Sequence, residues 1–438
     1  MPENREIYKT LDLALRVGEV LLSSGAGAAD VTATMSSITH ALALRGVDVD
    51  VTFTSLALTY QPSIDEPAVI SLRQVKHRDI DYEDLTNVDI LISDLLRGDI
   101  DRDEARARLA RIVSSGHRLP RWAVTLGWGF MGLGIGLVLG GDWIVVLIAF
   151  LAAAGIDLLK RSMSRRRLPV FYQQVAGGLL ATGFAIATAA TGLPADPSLV
   201  VSASIVMLLA GIGFMGAIQD ALTGFYITSG ARMLEAVLAT TGIIAGVSGG
   251  LTLADVLGVD LSQLDPGATG LFYLPVMAFG AGLCAAAFAF ASYAPLRSLP
   301  VIALISAVGM VVAYLIESQG FGRAWAAASS AVIMGAVSYS LAGRVRVPPL
   351  VVVVPAIVPL LPGLAIYRGL GLMAAGDSFG VQEMASAGAV AISLASGVIL
   401  GEYVAQPLKR EARRLENRLS GPRLVGPLRA RAVKRDKV

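Results

Sequence analysis

Between residue 170 and the basic tail that starts at Lys409, ionisable side chains are scarce, so the few that remain carry the chemistry. Gln219 and Asp220 close an apolar stretch, Arg232 and Glu235 follow one helical turn apart (i, i+3), and Gly363, Tyr367 and Arg368 end a proline-rich stretch. A charge inside a bilayer is costly and ordinarily faces a cavity or an opposite charge. Asp220 or Glu235 suits an ammonium group or a transferable proton. Arg368, or the N-terminus of a half-helix, suits a carboxylate. The two signs together would hold a small zwitterion. Arg232 with Glu235 reads equally well as a structural pair, and Asp220 also reads as an interfacial helix cap.

Other polar groups are weaker candidates. Asp157, just before Lys160 and Arg161, reads as an interfacial ion-pair partner, and Glu402 as a group that snorkels to water. Gln173, Gln174 and Tyr226 could hydrogen-bond a ligand, but such residues are common at membrane interfaces. Metal and nucleophile chemistry find no foothold. Cys284 is the single cysteine, and His40, His77 and His117 lack ligand spacing. An intramembrane aspartyl hydrolase would need Asp157 and Asp220 to meet, and neither lies in a convincing motif. The chain is therefore not read as an enzyme, and no cofactor or metal is implied.

These residues sit on elements whose solvent is lipid. The chain is 54% hydrophobic and only 16% charged, against about 25% charged in a soluble domain. Residues 1–115 hold 12 Lys/Arg and 19 Asp/Glu and no run long enough to span. Beyond them, spans of roughly 20 apolar residues are expected near 122–140, 143–159, 170–191, 199–217, 232–254, 270–291, 299–316, 324–342, 348–367 and 381–405. Gly-Gly-Asp at 140–142 makes the first two a tight hairpin. Loops on the side of residues 160–169 carry nine Lys/Arg, and the opposite loops carry only Arg323. That bias places the nine in the cytoplasm. Ten spans with both termini inside follow, with no cleaved signal peptide expected at the start. The basic tail from Lys409 reads as an anchor to anionic lipid rather than a nucleic-acid arm.

The expected domains are a cytosolic mixed α/β domain (1–117), two five-span halves (118–258 and 259–406) and a basic cytosolic tail (407–438). Helices are expected at 6–23, from Asp30 as cap to about Arg45, at 82–97 and at 101–115. VDVDVTFTS (47–55), LALTYQ (56–61) and AVISLRQV (68–75) read as strands. The 47 glycines permit close helix packing within one chain or between copies, so a homo-oligomer stays open.

A weak repeat appears at an offset of 152 residues: LLAGIGFMGAIQDALTG (208–224) aligns with LLPGLAIYRGLGLMAAG (360–376). Each copy falls at the fourth span of a five-span half. An odd number of spans per half inverts the second copy, the plan of many secondary transporters with a midplane site. The ninth span carries Pro348, Pro349, Pro355, Pro359 and Pro362. Such breaks survive in a membrane only where protein or water satisfies the freed backbone.

Four segments then carry a family resemblance: SSGAGAADVTATM (23–35), RDIDYEDLTNVDILISDLLRGDIDRDEARARLARI (78–112), AIQDALTGFYITSGARMLEA (217–236) and LLPGLAIYRGL (360–370). In this order they resemble the threonine/serine exporter family over nearly the whole chain. The resemblance implies export of small hydroxy amino acids across a bacterial inner membrane, driven by the proton motive force. Related two-subunit versions of the architecture are associated with dicarboxylate export. The family often shows Pro-Gly and then Asn-Ala-Ile-Arg-Asp in the fourth span. Here Ala210-Gly211 and Gly216-Ala217-Ile218-Gln219-Asp220 stand there, whereas Pro362-Gly363 and Tyr367-Arg368-Gly369 are kept in the second half. A receptor with an acidic sensor domain is the other class kept open.

Overall fold

Local capping chemistry sets most boundaries of the N-terminal segment. In the computed structural model, which describes residues 2–76, 78–192, 195–206, 208, 211–259, 270–374 and 377–419, α1 (Pro2–Ser23) and α2 (Ala28–Ala41) precede strands β1 (Val47–Val51), β2 (Ser55–Tyr60) and β3 (Val69–Gln74). Helices α3 (Tyr82–Arg97) and α4 (Arg102–Ser115) follow. Asp81 caps α3 by accepting from the Asp84 amide at 3.0 Å, and Asp101 caps α4 by accepting from Glu104 at 2.7 Å. Gly98 ends α3 in the left-handed region that only glycine adopts at little cost (φ 77). The strands form an antiparallel sheet in the order β1-β2-β3, with Val49 opposite Leu58 and Leu58 opposite Ser71. Leu56 and Leu58 are buried, in the apolar core that also holds Leu22 of α1 and Met35 and Ile38 of α2.

Two local expectations are corrected. Asp30 does not cap α2. The cap position is Gly27, whose missing side chain leaves the first amides of the helix open. The helix also stops at Ala41, and Ala43 turns the chain with a positive φ of 65.

The rest of the chain is a polytopic helical membrane protein. Among the described residues, eight helices are long and apolar enough to cross a bilayer: α5 (Arg121–Val138), α6 (Trp143–Arg165), α7 (Val170–Ala190), α10 (Tyr226–Val256), α11 (Leu274–Ala291), α12 (Leu299–Ser318), α13 (Arg323–Ala342) and the membrane part of α16 (Phe379–Leu419). The hairpin at 140–142 forms as expected, with Asp142 capping α6 by accepting from the Val145 amide at 3.0 Å. The expected fourth and ninth spans are both interrupted. The fourth is α8 (Pro197–Val206) and α9 (Gly211–Leu222); the ninth is α14 (Pro349–Ile357), a 3₁₀ turn at Val358–Leu360 and α15 (Gly363–Ala374).

Packing follows a repeated scheme. α5 lies on α6 as α11 lies on α12; α7 lies on α10 as α13 lies on α16. α9 packs on α10 as α15 packs on α16, while α8 and α14 each pack on the three helices before them. α5 and α11 cross antiparallel through small residues. A Cβ on Gly134 would stand 2.6 Å from the Cys284 nitrogen, and one on Gly280 would stand 2.7 Å from the Gly134 carbonyl oxygen. The two breaks meet, since Gly211 leaves only 3.0 Å between an added Cβ and Leu361. One contiguous apolar core runs from α1–α4 into the bundle.

Candidate functional site

The N-terminal segment sits on the bundle like a roof, and a cavity of about 640 Å³ lies beneath it. The roof is the Leu22–Gly25 turn, Gly27 and the Arg78–Tyr82 stretch. The walls are Trp128 of α5, Asp157, Lys160 and Arg161 of α6, Gln174 of α7, and Gln219, Arg232 and Glu235 of α9 and α10. Leu208, in the first break, and Ile212, just after it in α9, line it together with Val354. The roof is held by the Tyr82 amide donating to the Ser292 carbonyl at 2.9 Å and by an edge-on Tyr82–Phe288 contact at 6.4 Å. His117 stacks on Tyr293 with centroids 3.8 Å apart and lies 3.3 Å from Asp81.

Asp220 is 1% exposed. It lies within α9 rather than just past its span, because a polar residue ends an apolar run without ending backbone hydrogen bonding. Its Oδ1 accepts from the Ala28 amide at 3.0 Å, so it supplies from the bundle the cap that Gly27 cannot. Its Oδ2 lies 3.1 Å from Arg232 Nη1, an ion pair whose angle falls short of a hydrogen bond. Arg232 Nη2 donates to the Ala26 carbonyl at 3.1 Å. Gly216 makes room for this guanidinium, since a Cβ there would stand 2.9 Å from Nη1. One carboxylate and one guanidinium thus clasp the N-terminus of α2, where the helix dipole favours negative charge.

The expected Arg232–Glu235 pair does not form. Arg232 is committed to Asp220, and Glu235 lines the cavity with no ion-pair partner among the described residues. Gln219 lines it as well. Arg368 lies inside α15, not at its end. Its Nε and Nη2 are buried without an acceptor among the described residues, and it neither lines this cavity nor pairs with Asp220. Gly363 begins α15 at the second break, and the side chain of Tyr367 lies outside the described residues. So do Ala210, His77 and the tail from residue 420. Asp157 accepts from Thr125 Oγ1 at 2.7 Å and Arg161 at 2.8 Å, the interfacial pair expected of it. Asp157 and Asp220 are each occupied by their own arginine, and no pair of facing carboxylates arises between them.

Sequence reasoning missed Arg78 as a site residue. Its Nε and Nη2 are buried with no acceptor among the described residues, and its guanidinium carbon lies 3.9 Å from the centre of the Phe53 ring. Burial, helped by the nearby Arg232 charge, pushes its pKa down to about 10. The Glu235 and Asp220 charges offset this in part, but neither pairs with it among the described residues, and unmet donors on a desolvated cation are a cost that a bound anion would relieve. The available signal was its place at the head of the RDIDYED run, but nothing local marks that run as a cavity roof. Asp30, in the first turn of α2, has its carboxyl pushed up by burial and then by the Asp220 charge.

A second cavity of about 490 Å³ opens at the other end of the bundle. It is lined by Val138, Tyr314, Glu317, Arg323 and the second break, Pro359–Pro362. Arg323 donates to Glu317 across its mouth at 3.2 Å.

Comparison with known proteins gives a consistent picture. A family model for threonine/serine exporters matches residues 12–254, and a second threonine/serine exporter model matches residues 277–404. A Mycobacterium tuberculosis protein described as "Probable threonine/serine exporter" is 34% identical over 425 residues, covering 94% of this chain and 80% of that protein. The "Threonine/serine exporter" of Corynebacterium glutamicum is 33% identical over 422 residues, covering 94% of this chain and 86% of that one. No solved structure shows a significant match.

Proposed function

This chain belongs to the threonine/serine exporter family, and from that premise we propose that it exports threonine, serine and similar small amino acids, driven by the proton motive force. The observation that carries this reading is the cavity under the roof, which offers both charge signs at the edge of a broken helix. Arg78 is the partner for the substrate carboxylate and Glu235 for its ammonium.

The architecture we propose is ten crossings in two inverted halves, 118–258 and 259–406, below a cytosolic domain of residues 1–117. Several observations support it. α9 and α15 are each 12 residues long and begin at Gly211 and Gly363, the two positions aligned by the sequence repeat. The packing relations of α5–α10 reappear in α11–α16. Each end of the bundle has a cavity that reaches one of the two breaks. Paired half-helices of this kind mark the substrate site in many secondary transporters. In this reading the roof, both termini and the basic tail are cytoplasmic, which the loop-charge bias supports, and the membrane part lies in a bacterial inner membrane, which the family supports. The Asp220–Arg232 clasp then holds the roof shut from below, and its release admits substrate. Asp220 or Glu235 carries the coupling proton. Arg368, on the half-helix opposite, serves the outward-facing state.

Purified protein in liposomes tests this. Saturable threonine and serine flux that responds to an imposed ΔpH is expected. Flux that ignores ΔpH would remove the proton, and no flux of any small amino acid would overturn the exporter reading.

A further inference from the structure

His117 stands where the head, the linker and the bundle meet. Gly116 ends α4 with a positive φ of 63, and the chain turns there so that the next side chain meets the start of α3. His117 Nε2 lies 3.3 Å from Asp81 Oδ2, and its Nδ1 lies 3.7 Å from Glu83 Oε2. The face of the ring stacks on Tyr293, with 3.8 Å between centroids and 14° between planes. Tyr293 follows α11 in the bundle and takes a positive φ of 63, uncommon for a bulky residue. Arg121, at the start of α5, donates to its hydroxyl at 2.9 Å. The adjoining Ser292 carbonyl accepts from the Tyr82 amide, which belongs to the roof. One imidazole thus touches two carboxylates of the head and an aromatic ring of the bundle.

The geometry selects a charge state. A neutral imidazole donates from one nitrogen and holds a lone pair on the other, whereas the imidazolium donates from both. Only the cation suits a ring with a carboxylate beside each nitrogen, and the cation is also the form that an aromatic face attracts. The remaining charges nearby reinforce this. Asp81, Glu83 and Asp84 cluster at the start of α3, and burial pushes the Asp81 carboxyl up and, with the Asp81 charge, the Asp84 carboxyl up to about 6. Arg118, 94% exposed, lies 3.7 Å from Glu83. Arg121 is engaged with Tyr293, and Asp157 and Arg161 of α6, which also act on Tyr293, pair with each other at 2.8 Å. Among the described residues, loss of the His117 charge leaves the three carboxylates with one solvated cation.

We infer that His117 is a cytosolic pH sensor that latches the roof: protonated, it clamps the start of α3 to the Tyr293 turn, and deprotonated, it lets the roof lift from the cavity. Imidazole changes charge between about pH 5 and 8. The docked roof favours the cation, so docking is strongest in acid and weakens as pH rises through that range. The Asp84 carboxyl acts in the same direction lower down, near about 6. This regulation rests on the proposed proton-driven export through the cavity below. Protons entering in exchange for cargo would then close the roof as the cytoplasm acidifies, a brake that an alkaline cytoplasm releases.

The test uses the full-length protein. Hydrogen exchange at the Tyr82 amide reads the docked roof directly, when expressed as protection relative to an unstructured chain at the same pH. In the wild type, protection should fall about ten-fold between about pH 6.5 and 8. His117→Gln and His117→Arg, one neutral and one permanently charged, should each flatten this profile, the first at low protection and the second at high. Either variant alone suffices if the other does not insert. In liposomes at a fixed ΔpH, threonine flux should rise over the same range of cytosolic-side pH in the wild type and lose that rise in the variants. Wild-type protection that ignores pH, or a variant that keeps the wild-type profile, would overturn the inference. Exchange needs no cargo, so a pH-dependent latch without flux of any small amino acid would leave the latch standing and overturn the exporter reading instead.

Discussion

At the scale of the residue, burial decides which charges are used up and which are kept. Asp220 and Arg232 satisfy each other and the start of α2. Arg78 and Arg368 keep buried nitrogens without acceptors among the described residues. The junction below the roof also concentrates carboxylates. Burial and the neighbouring Asp81 charge push the Asp84 carboxyl up to about 6. The folded protein therefore holds the Asp84 proton more tightly than the unfolded chain, whose aspartates titrate near about 3.9. This contribution favours the fold at low pH and is lost as pH rises through the window from about 4 to about 6. Asp84→Asn should raise the melting temperature by a few degrees at pH 7 and leave it unchanged near pH 4. The opposite order in a pH series of melts would refute the assignment.

Among the elements, close backbone approach is the organising device. α5 and α11 touch through Gly134 and Gly280, where a Cβ would fall inside van der Waals distance of partner backbone. Lipid gives no hydrophobic push between helices, so such small-residue contacts supply the packing. Gly280→Leu forces the axes apart and should cost several kcal/mol, in line with the larger penalties for overpacking, about 1–3 kcal/mol or more. Detergent-solubilised protein carrying it should lose its monodisperse peak on size-exclusion chromatography. Gly183, with open space around an added Cβ, provides the control: Gly183→Ala should elute as wild type. Equal behaviour of the two variants would mean that the α5–α11 crossing does not hold the halves together.

For the whole molecule, few polar contacts couple the roof to the bundle among the described residues, and two of them, Asp220 with Ala28 and Arg232 with Ala26, meet at the start of α2. Removing one member of a buried ion pair typically costs about 3–5 kcal/mol because the other is left unpaired. Asp220→Asn keeps an acceptor for the Ala28 amide but strands Arg232. It should loosen the roof and expose the 116–120 linker to protease at least ten-fold faster, while membrane insertion stays intact. Arg232→Gln should do the same. Linker cleavage at the wild-type rate in both variants would show that the clasp does not hold the roof.

The sequence by itself determined the polytopic helical class, the eight long apolar helices, the helices and strands before residue 116, and the break at Pro359–Pro362, because hydropathy, periodicity and proline chemistry act within a few residues. It also marked Asp220, Arg232, Glu235 and Arg368 as unusual, since a charge in an apolar stretch is visible locally. Only the tertiary structure decided who meets whom. Asp220 meets Arg232 because α9 and α10 fold back on each other with Gly216 at the contact. It meets Ala28 because the head docks there. Arg78 looks ordinary in the sequence, and Gln174 reads there only as a weak candidate. Their unmet polar atoms arise because packing removes water and supplies no partner among the described residues. Such pairings depend on how helices distant in sequence approach one another, which no local pattern encodes.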